Sequence, residues 1–119
     1  MTLEEMLVQI KAHPRIGEAG MILCHNGIVR GTSRNGKPVS AINVKAHHEA
    51  LSSIITEIKA RPGIIEVLVE LNQGTLSVGD DIMLVAMAGD IRDNVFPALQ
   101  DLVQRIKQQI TEKEELLSS

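Results

Sequence analysis

Basic side chains are the residues of this sequence whose types and positions could do chemistry. Fixed cations bind anionic groups through charge-assisted hydrogen bonds. A surface lysine or arginine is more often a solvated side chain, so the position of each cation in the fold decides between the two interpretations. Seven candidates stand out in the sequence: Arg30, Arg34, Lys37, Arg92, Arg105, Lys107 and Lys113.

Lys107 has the most specific setting of these cations. It follows Ile106, which belongs to an apolar stripe, so its aliphatic stem could run along the boundary of a helix. Burial in that position would lower the pKa of the lysine and make its amine nucleophilic. The sequence does not show whether this burial occurs.

The stretch from Arg30 to Lys37, RGTSRNGK, combines two glycines with three cations. This composition is typical of a solvated hairpin loop. The alternative is a mobile, basic rim around an anionic ligand. Both interpretations remain open from the residues alone.

Other kinds of site find little support. Among the four histidines, His47 and His48 are adjacent and point in different directions, while His13 and His25 lie in unrelated elements. We therefore expect surface or capping roles for them, no metal site and no cofactor. The sequence contains no P-loop, no dinucleotide-binding glycine motif and no nucleophile elbow. The single cysteine, Cys24, lies in an apolar run and is predicted to be a small buried hydrophobic residue.

Composition bounds the possible partners. The 119 residues fit one domain, 1–119, with 44% hydrophobic and 23% charged residues. Only 1% of the residues are aromatic and the net charge is −3, which argues against nucleic-acid binding. The N-terminus shows no signal peptide and the chain shows no membrane span, so we expect a cytoplasmic protein.

Hydrophobic periodicity predicts an α+β fold, with helices on one face of a mainly antiparallel sheet. Thr2 and Glu5 form a capping box at the first helix, and Asn26-Gly27 predicts a bulge or tight turn within the first strand. The predicted order is helix, strand, strand, helix, strand, strand, helix, at residues 2–13, 21–29, 39–46, 47–61, 64–71, 81–88 and 93–117.

The stretch from Gly74 to Leu99 organises the rest of the chain. Gly74 and Gly79 are predicted to bracket a tight connection before an apolar strand that Gly89 ends. Asp93 is the predicted N-cap of the last helix, and Pro97 is compatible with that helix only in its first turn. A strand that leads directly into a helix is a common place for a functional site, because its end is held rigidly yet exposed.

The same stretch resembles the large, catalytic subunit of molybdopterin synthase, the MoaE family. The family core G-x-L-x-x-G-(D/E) is matched by residues 74–80, with Val85 after it, and the family G-x-V-R is matched by residues 27–30. A glycine-containing loop, Gly31 to Gly36, follows as in the family. Arg92 and Phe96 occupy family positions after the strand, and Ile106-Lys107 lies in register with a family lysine in the last helix. The resemblance covers roughly residues 19–113.

The resemblance implies a MoaE-like fold of the α/β hammerhead type and a sulfur-transfer reaction. In that family a ubiquitin-like small subunit, MoaD, inserts its C-terminal thiocarboxylate into the large subunit, and sulfur moves to a cyclic pyranopterin phosphate to form the dithiolene of molybdopterin. Lys107 would be the active-site lysine near the thiocarboxylate, and Arg30 and Arg92 would bind anionic groups of the pterin, with Arg34 and Lys113 as further substrate-binding candidates. The family subunit is a homodimer.

Several family positions differ in this sequence. The histidine of a His-Arg pair is Ile91, a second His-Arg pair is Asn72-Gln73, and a second functional lysine aligns with Glu114, one residue from Lys113. An apolar Ile91 cannot donate a proton or a hydrogen bond. Two alternatives to the sulfurtransferase therefore remain: an inactive MoaE-like binding or regulatory protein, and an interaction domain without a ligand site. Convergence of Arg30, Arg92 and Lys107 on one pocket would argue against the last, and a neighbouring subunit could supply missing groups.

Overall fold

The computed structural model describes residues 1–118 and has an α+β fold of antiparallel sheets with packed helices, as the sequence predicted. The molecule measures 52 × 25 × 24 Å. A 3₁₀ turn at Ile16–Glu18 follows the first helix, and a π-helical turn at Ile106–Ile110 follows the last. The elements are α1 (Leu3–Lys11), β1 (Met21–Ile28), β2 (Val39–Ala46), α2 (His48–Lys59), β3 (Ile64–Leu71), β4 (Gly74–Ser77), β5 (Asp81–Gly89), α3 (Arg92–Arg105) and β6 (Thr111–Leu117).

The first sheet has the strand order β1-β5-β3 and is antiparallel throughout. Its central strand, β5, is buried at every residue after Asp81. Alternate residues of a strand point to opposite faces, so a strand that is apolar at every position must be covered on both faces. Met83, Val85 and Met87 pack against α2 and α3, whereas Leu84 and its same-face neighbours pack against α1. The expectation that all helices share one face was therefore wrong for α1.

The second sheet has the order β4-β2-β6 and a smaller core. Its inner face carries Val39, Ile42 and Val44, which pack with Val29 and Ile82 from the first sheet. The outer face is open, as the exposed residues Asn43 and Lys45 of β2 illustrate. The polar stretch from Arg30 to Lys37 leads from β1 in the first sheet to β2 in the second, and an isolated antiparallel bridge between Thr32 and Pro38 closes it as a short hairpin loop.

Two strands of the second sheet were not predicted. The connection after Gly74 contains β4, which pairs with β2 through Ile42 and Leu76. The last helix was predicted to run to Leu117, but α3 ends at Arg105 and residues 111–117 form β6 on the other edge of β2. Both strands are short and almost entirely exposed, so they lack the apolar alternation by which a strand is recognised.

The start of α3 also differs from the prediction. The N-cap is Ile91 rather than Asp93, and the Asp90 carboxylate accepts hydrogen bonds from the Ile91 amide at 2.6 Å and from Asn94 Nδ2 at 2.9 Å. These two bonds lower the pKa of Asp90, the Asn94 bond contributing more. Because α3 begins at Arg92, Pro97 is its sixth residue and lies beyond the first turn.

Local signals near the N-terminus were confirmed. Thr2 Oγ1 accepts a hydrogen bond from the Glu5 amide at 3.1 Å, and a register shift follows Gly27, as expected for a bulge. The prediction of a buried Cys24 was wrong: this residue is exposed on the edge strand β1. Within residues 1–118, no helix has the length and apolarity needed to cross a membrane.

Candidate functional site

Two adjacent cavities lie where α3, the π-helical turn and β6 meet strand β1. The first, of about 730 Å³, we call the apolar cavity because Leu23, Phe96, Leu99 and Val103 line it. The second, of about 550 Å³, we call the polar cavity. Arg34 and Lys107 line both cavities, so these two cations form the wall that the cavities share.

Arg30 lines the polar cavity and is held there by the end of β1. The preceding residue, Val29, is buried, and its amide donates to the Asp80 carbonyl at 2.9 Å while its carbonyl accepts from the Gly79 amide at 2.8 Å. The Gly79 φ angle of 89° is readily adopted only by glycine. The two glycine motifs, at residues 27–30 and 74–80, are thus hydrogen-bonded to each other through Val29. Arg30 is the residue that directly follows this contact.

Arg34 comes from the connection between the two sheets. Thr32 and Pro38 form an isolated β-bridge at its base, and Gly36 closes its tip with a φ angle of 79°. The Arg30 side chain adds a hydrogen bond to the Thr32 carbonyl at 2.8 Å. The connection therefore has internal structure, and it brings an exposed Arg34 to both cavities.

Lys107 is held by the π-helical turn that follows α3. Ile106 and Ile110 on either side of it are fully buried in the main core, and the Thr111 hydroxyl donates to the Ile106 carbonyl at 3.3 Å. Lys107 itself is exposed. The burial required for a desolvated, nucleophilic lysine is therefore not present at this residue, and its ammonium faces the cavities as a fixed cation.

Lys113 reaches the polar cavity because it lies on a strand rather than on a helix. It pairs with Val44, whose side chain is on the inner face, and directly paired residues of an antiparallel sheet point to the same face. Glu114 pairs with the exposed Asn43 and points outward. A shift of one residue along a strand reverses the face to which the side chain points. Lys113 is therefore the second lysine of the cavity, whereas Glu114 points away from it.

Arg92 is the predicted site residue that the structure does not bring to these cavities. It is the first residue of α3, whereas Lys107 follows the end of this helix, and 14 helical residues span about 21 Å. Neither cavity is lined by Arg92 or by its neighbour Ile91, which is 54% exposed. Within one chain, Arg30, Arg34, Lys107 and Lys113 converge, and Arg92 is separate.

The charges of this cluster influence one another. Burial lowers the pKa of Lys113, and the nearby Lys107 ammonium lowers it further. His25 is affected in the same way: burial lowers its pKa most, followed by the charges of Lys107 and Lys113. The cluster is thus a positive site whose members oppose each other's protonation, and such a site is suited to an anionic ligand.

His25 is the residue that the sequence did not reveal. It was assigned to the surface because no partner stood near it in the chain, but β1 brings it to the apolar cavity beside Lys107 and Arg34. Its position between Cys24 and Asn26 on an edge strand gave no distinguishing signal. Within the described residues there is no group of three or more His, Cys, Asp or Glu side chains that could hold a metal ion.

Comparisons with known proteins bear on the family of this chain. The sequence profile of the MoaE protein family matches residues 2–109. A probable molybdopterin synthase from Haloferax volcanii is 27% identical over an alignment of 115 residues that covers 92% of this chain and 44% of the Haloferax protein. The chain thus spans less than half of that relative.

Solved structures show the same fold at low sequence identity. A MoaE protein of molybdopterin biosynthesis from Burkholderia ambifaria superposes with a TM-score of 0.76 at 21% identity, covering 98% of this chain and 83% of that one. A protein–protein complex of subunits 1 and 2 of the molybdopterin-converting factor from Helicobacter pylori contains a chain that matches with a TM-score of 0.72 at 16% identity, covering 98% and 80%. Together with the family profile, which matches most of the chain, these findings show that the protein belongs to the MoaE family.

Proposed function

We propose that this protein is the large subunit of a molybdopterin synthase. It transfers sulfur from the C-terminal thiocarboxylate of a ubiquitin-like, MoaD-like small subunit to a cyclic pyranopterin phosphate, in the biosynthesis of the molybdenum cofactor. The observation that carries the proposal is the convergence of Arg30, Arg34, Lys107 and Lys113 on the polar cavity. Family membership and the likeness to a probable molybdopterin synthase support the reaction class.

The four cations suit both reactants. A pterin phosphate and a thiocarboxylate are anions, and charge-assisted hydrogen bonds to fixed cations hold such groups in place. Arg30, Arg34 and Lys113 would bind the phosphate and other anionic groups of the pterin. Lys107, in the wall between the cavities, would contact the thiocarboxylate and stabilise the charge on the sulfur as the bond to carbon changes.

The apolar cavity offers a path for the tail of the small subunit. Its lining by Leu23, Phe96, Leu99 and Val103 suits the apolar and backbone atoms of an extended peptide, and Lys107 lies in the wall that it shares with the polar cavity. The Helicobacter structure of similar fold is a complex of two subunits, which supports a protein partner for this fold. As part of the same proposal, the reaction takes place in the cytoplasm.

Arg92 fits this proposal only through a second copy of the chain. Arg92 lines neither cavity of its own chain, but the homodimer that the family resemblance implies could bring the Arg92 of one copy to the cavities of the other. We include this homodimer in the proposal. Analytical ultracentrifugation of the wild-type protein tests it, and a monomer at the concentrations used for assay would contradict it.

Reconstitution tests the activity. The wild-type protein, mixed with a thiocarboxylated small subunit and the pterin phosphate, is expected to form the dithiolene. Lys107→Ala removes the cation shared by the two cavities and should lower the rate by roughly 100-fold or more. Lys11→Ala, at the end of α1, is the matched control and should retain the wild-type rate. Unchanged turnover in Lys107→Ala would contradict the assignment.

The departures from the family pattern favour one alternative, a MoaE-like binding or regulatory protein without turnover. Ile91, Asn72, Gln73 and Glu114 replace groups that bind or transfer protons in the family. This alternative expects no dithiolene with an active small subunit, together with retained binding of the pterin phosphate in calorimetry. Turnover by the wild-type protein would exclude it.

A further inference from the structure

The proposed sulfur transfer requires a proton acceptor that the four cations cannot provide. When sulfur leaves the acyl carbon of the small subunit and the subunit is released as a carboxylate, the new oxygen comes from water. In that step a carbon–oxygen bond forms, the carbon–sulfur bond breaks with its electron pair on sulfur, and the water must lose a proton. Ammonium and guanidinium groups have no lone pair to accept it.

His25 is the group in the apolar cavity that can accept this proton. The other polar side chains of that cavity are the amides of three glutamines and the cations Arg34 and Lys107, and none of them is a base at neutral pH. Glu115 lines the polar cavity, but it is an exposed carboxylate on β6, and carboxylates are generally much weaker bases than imidazole.

The position of the His25 ring favours its uncharged form. Nε2 is fully buried and has no hydrogen-bond partner among the described residues. It lies close to Gly27, because a Cβ atom added to this glycine would be 3.6 Å from Nε2. A ring whose Nε2 is fully buried can exchange a proton with the cavity only at Nδ1. For Nδ1 to accept a proton, the neutral ring must carry its hydrogen on Nε2. Burial then opposes the charged imidazolium relative to this neutral form.

We propose that His25 is the proton shuttle of this site, resting on the sulfur-transfer function proposed above. Its Nδ1 takes one proton from the water as the oxygen bonds to the acyl carbon. The imidazolium then gives this proton to the departing sulfur, which leaves as a thiol. The carboxylic acid that forms ionises and releases its own proton to solvent, so atoms and charges balance.

The charges around His25 suit this role. Arg34 faces it from the connection between the sheets, Lys107 from the π-helical turn and Lys113 from β6, while α3 presents neutral side chains to the cavity. Burial and these lysines lower the pKa of His25 below its usual value of 6.5, so the ring is neutral at pH 7. The rate should therefore be level at pH 7 and above, and should fall as the pH drops through the lowered pKa.

The test compares His25→Gln with His48→Gln, an exposed histidine at the start of α2, in the reconstituted reaction. We expect His25→Gln to lower kcat by roughly 100-fold, which is typical for loss of a general acid–base, and to remove the acidic limb of the pH profile. The small subunit should accumulate in covalent linkage to the pterin through sulfur, visible by mass spectrometry. His48→Gln should behave as the wild type.

Two further measurements separate chemistry from folding. Added imidazole should restore part of the rate of His25→Ala, which a merely structural defect would not allow. In NMR titrations of the wild-type protein without ligands, the pKa of His25 should lie below 6.5, the usual value for histidine, and Lys107→Gln should raise it. Wild-type kcat in His25→Gln, or a slow variant that neither traps the linked species nor responds to imidazole, would overturn the shuttle. A wild-type protein without turnover would instead refute the proposed function.

Discussion

The sheet of β1, β5 and β3 is packed on both faces, whereas the sheet of β4, β2 and β6 is packed on one face only. Every residue of β5 after Asp81 is buried, while every described residue of β6 after Thr111 is exposed. The candidate site lies at the boundary between the two sheets. Its cations come from the π-helical turn, the connection between the sheets and β6, and none of them comes from β5.

This difference shows how the fold can hold several cations together. Like charges oppose one another, and full burial would add a large desolvation penalty to that repulsion. The half-open sheet keeps Lys107 and Lys113 partly hydrated. The doubly covered sheet provides the rigidity, because the core on its α3 side contains Ile106 and Ile110 on either side of Lys107. Stability and chemistry thus depend on different parts of one small structure.

Truncation of a core residue in the first sheet should have the largest effect on stability. Met87→Ala removes a fully buried side chain from the central strand β5 and should lower the free energy of unfolding by about 2–5 kcal/mol, measured by urea denaturation. Leu116→Ala on β6, where the side chain is 39% exposed, should change it by no more than about 0.5 kcal/mol. Equal losses in the two variants would remove the contrast between the sheets.

A methyl group at the end of β5 should have the next largest effect. The Cβ of Gly89→Ala would lie 2.4 Å from Val95 Cγ2 and 2.8 Å from the Gly63 carbonyl oxygen, so the strand end and α3 must move apart. The expected destabilisation is about 1–3 kcal/mol in the same measurement. Gly17→Ala is the control, because no described atom outside its chain neighbours lies within 4 Å of its added Cβ. Full stability of Gly89→Ala would show that this end of the sheet is loosely packed.

Neutralising a cation of the second sheet should have the smallest effect on stability, and it should raise the free energy of unfolding rather than lower it. The pKa of Lys113 is lower in the folded protein than in the unfolded chain, because of burial and then Lys107, so its charge opposes folding at pH 7. Lys113→Gln should therefore be slightly more stable, by less than about 1 kcal/mol because the charges are screened. The gain should disappear above pH 10.5, the ordinary pKa of lysine.

Lys45→Gln, on the outer face of β2, is the matched control for Lys113→Gln, and its stability should remain within about 0.5 kcal/mol of the wild type. A clear loss of stability in Lys113→Gln alone would mean that Lys113 has a stabilising partner rather than a repelling one. The electrostatic repulsion among the four cations would then be weaker than their positions indicate.

The sequence predicted the elements whose residues alternate in hydrophobicity or carry strong caps. β2 and β3 were predicted with the bounds that the structure has, and the Thr2 cap and the bulge after Gly27 were also correct. β4 and β6 were not predicted, since their stability comes from pairing with β2 and not from a buried face of their own. Cys24 was misplaced for a related reason: an apolar run on an edge strand does not show which of its residues remain uncovered.

The sequence by itself determined the aliphatic core, the α+β class and the family, because these depend on local patterns and on motifs of fixed spacing. It also supplied the cations. Only the tertiary structure decided which of them lie together. The change from helix to strand after Ile110 turns Lys113 toward the inner face of the second sheet and Glu114 toward the outer face. The length of α3 separates Arg92 from Lys107. The position of β1 brings His25 to the apolar cavity, which Lys107 also lines. These are distances between residues remote in sequence, and no local pattern specifies them.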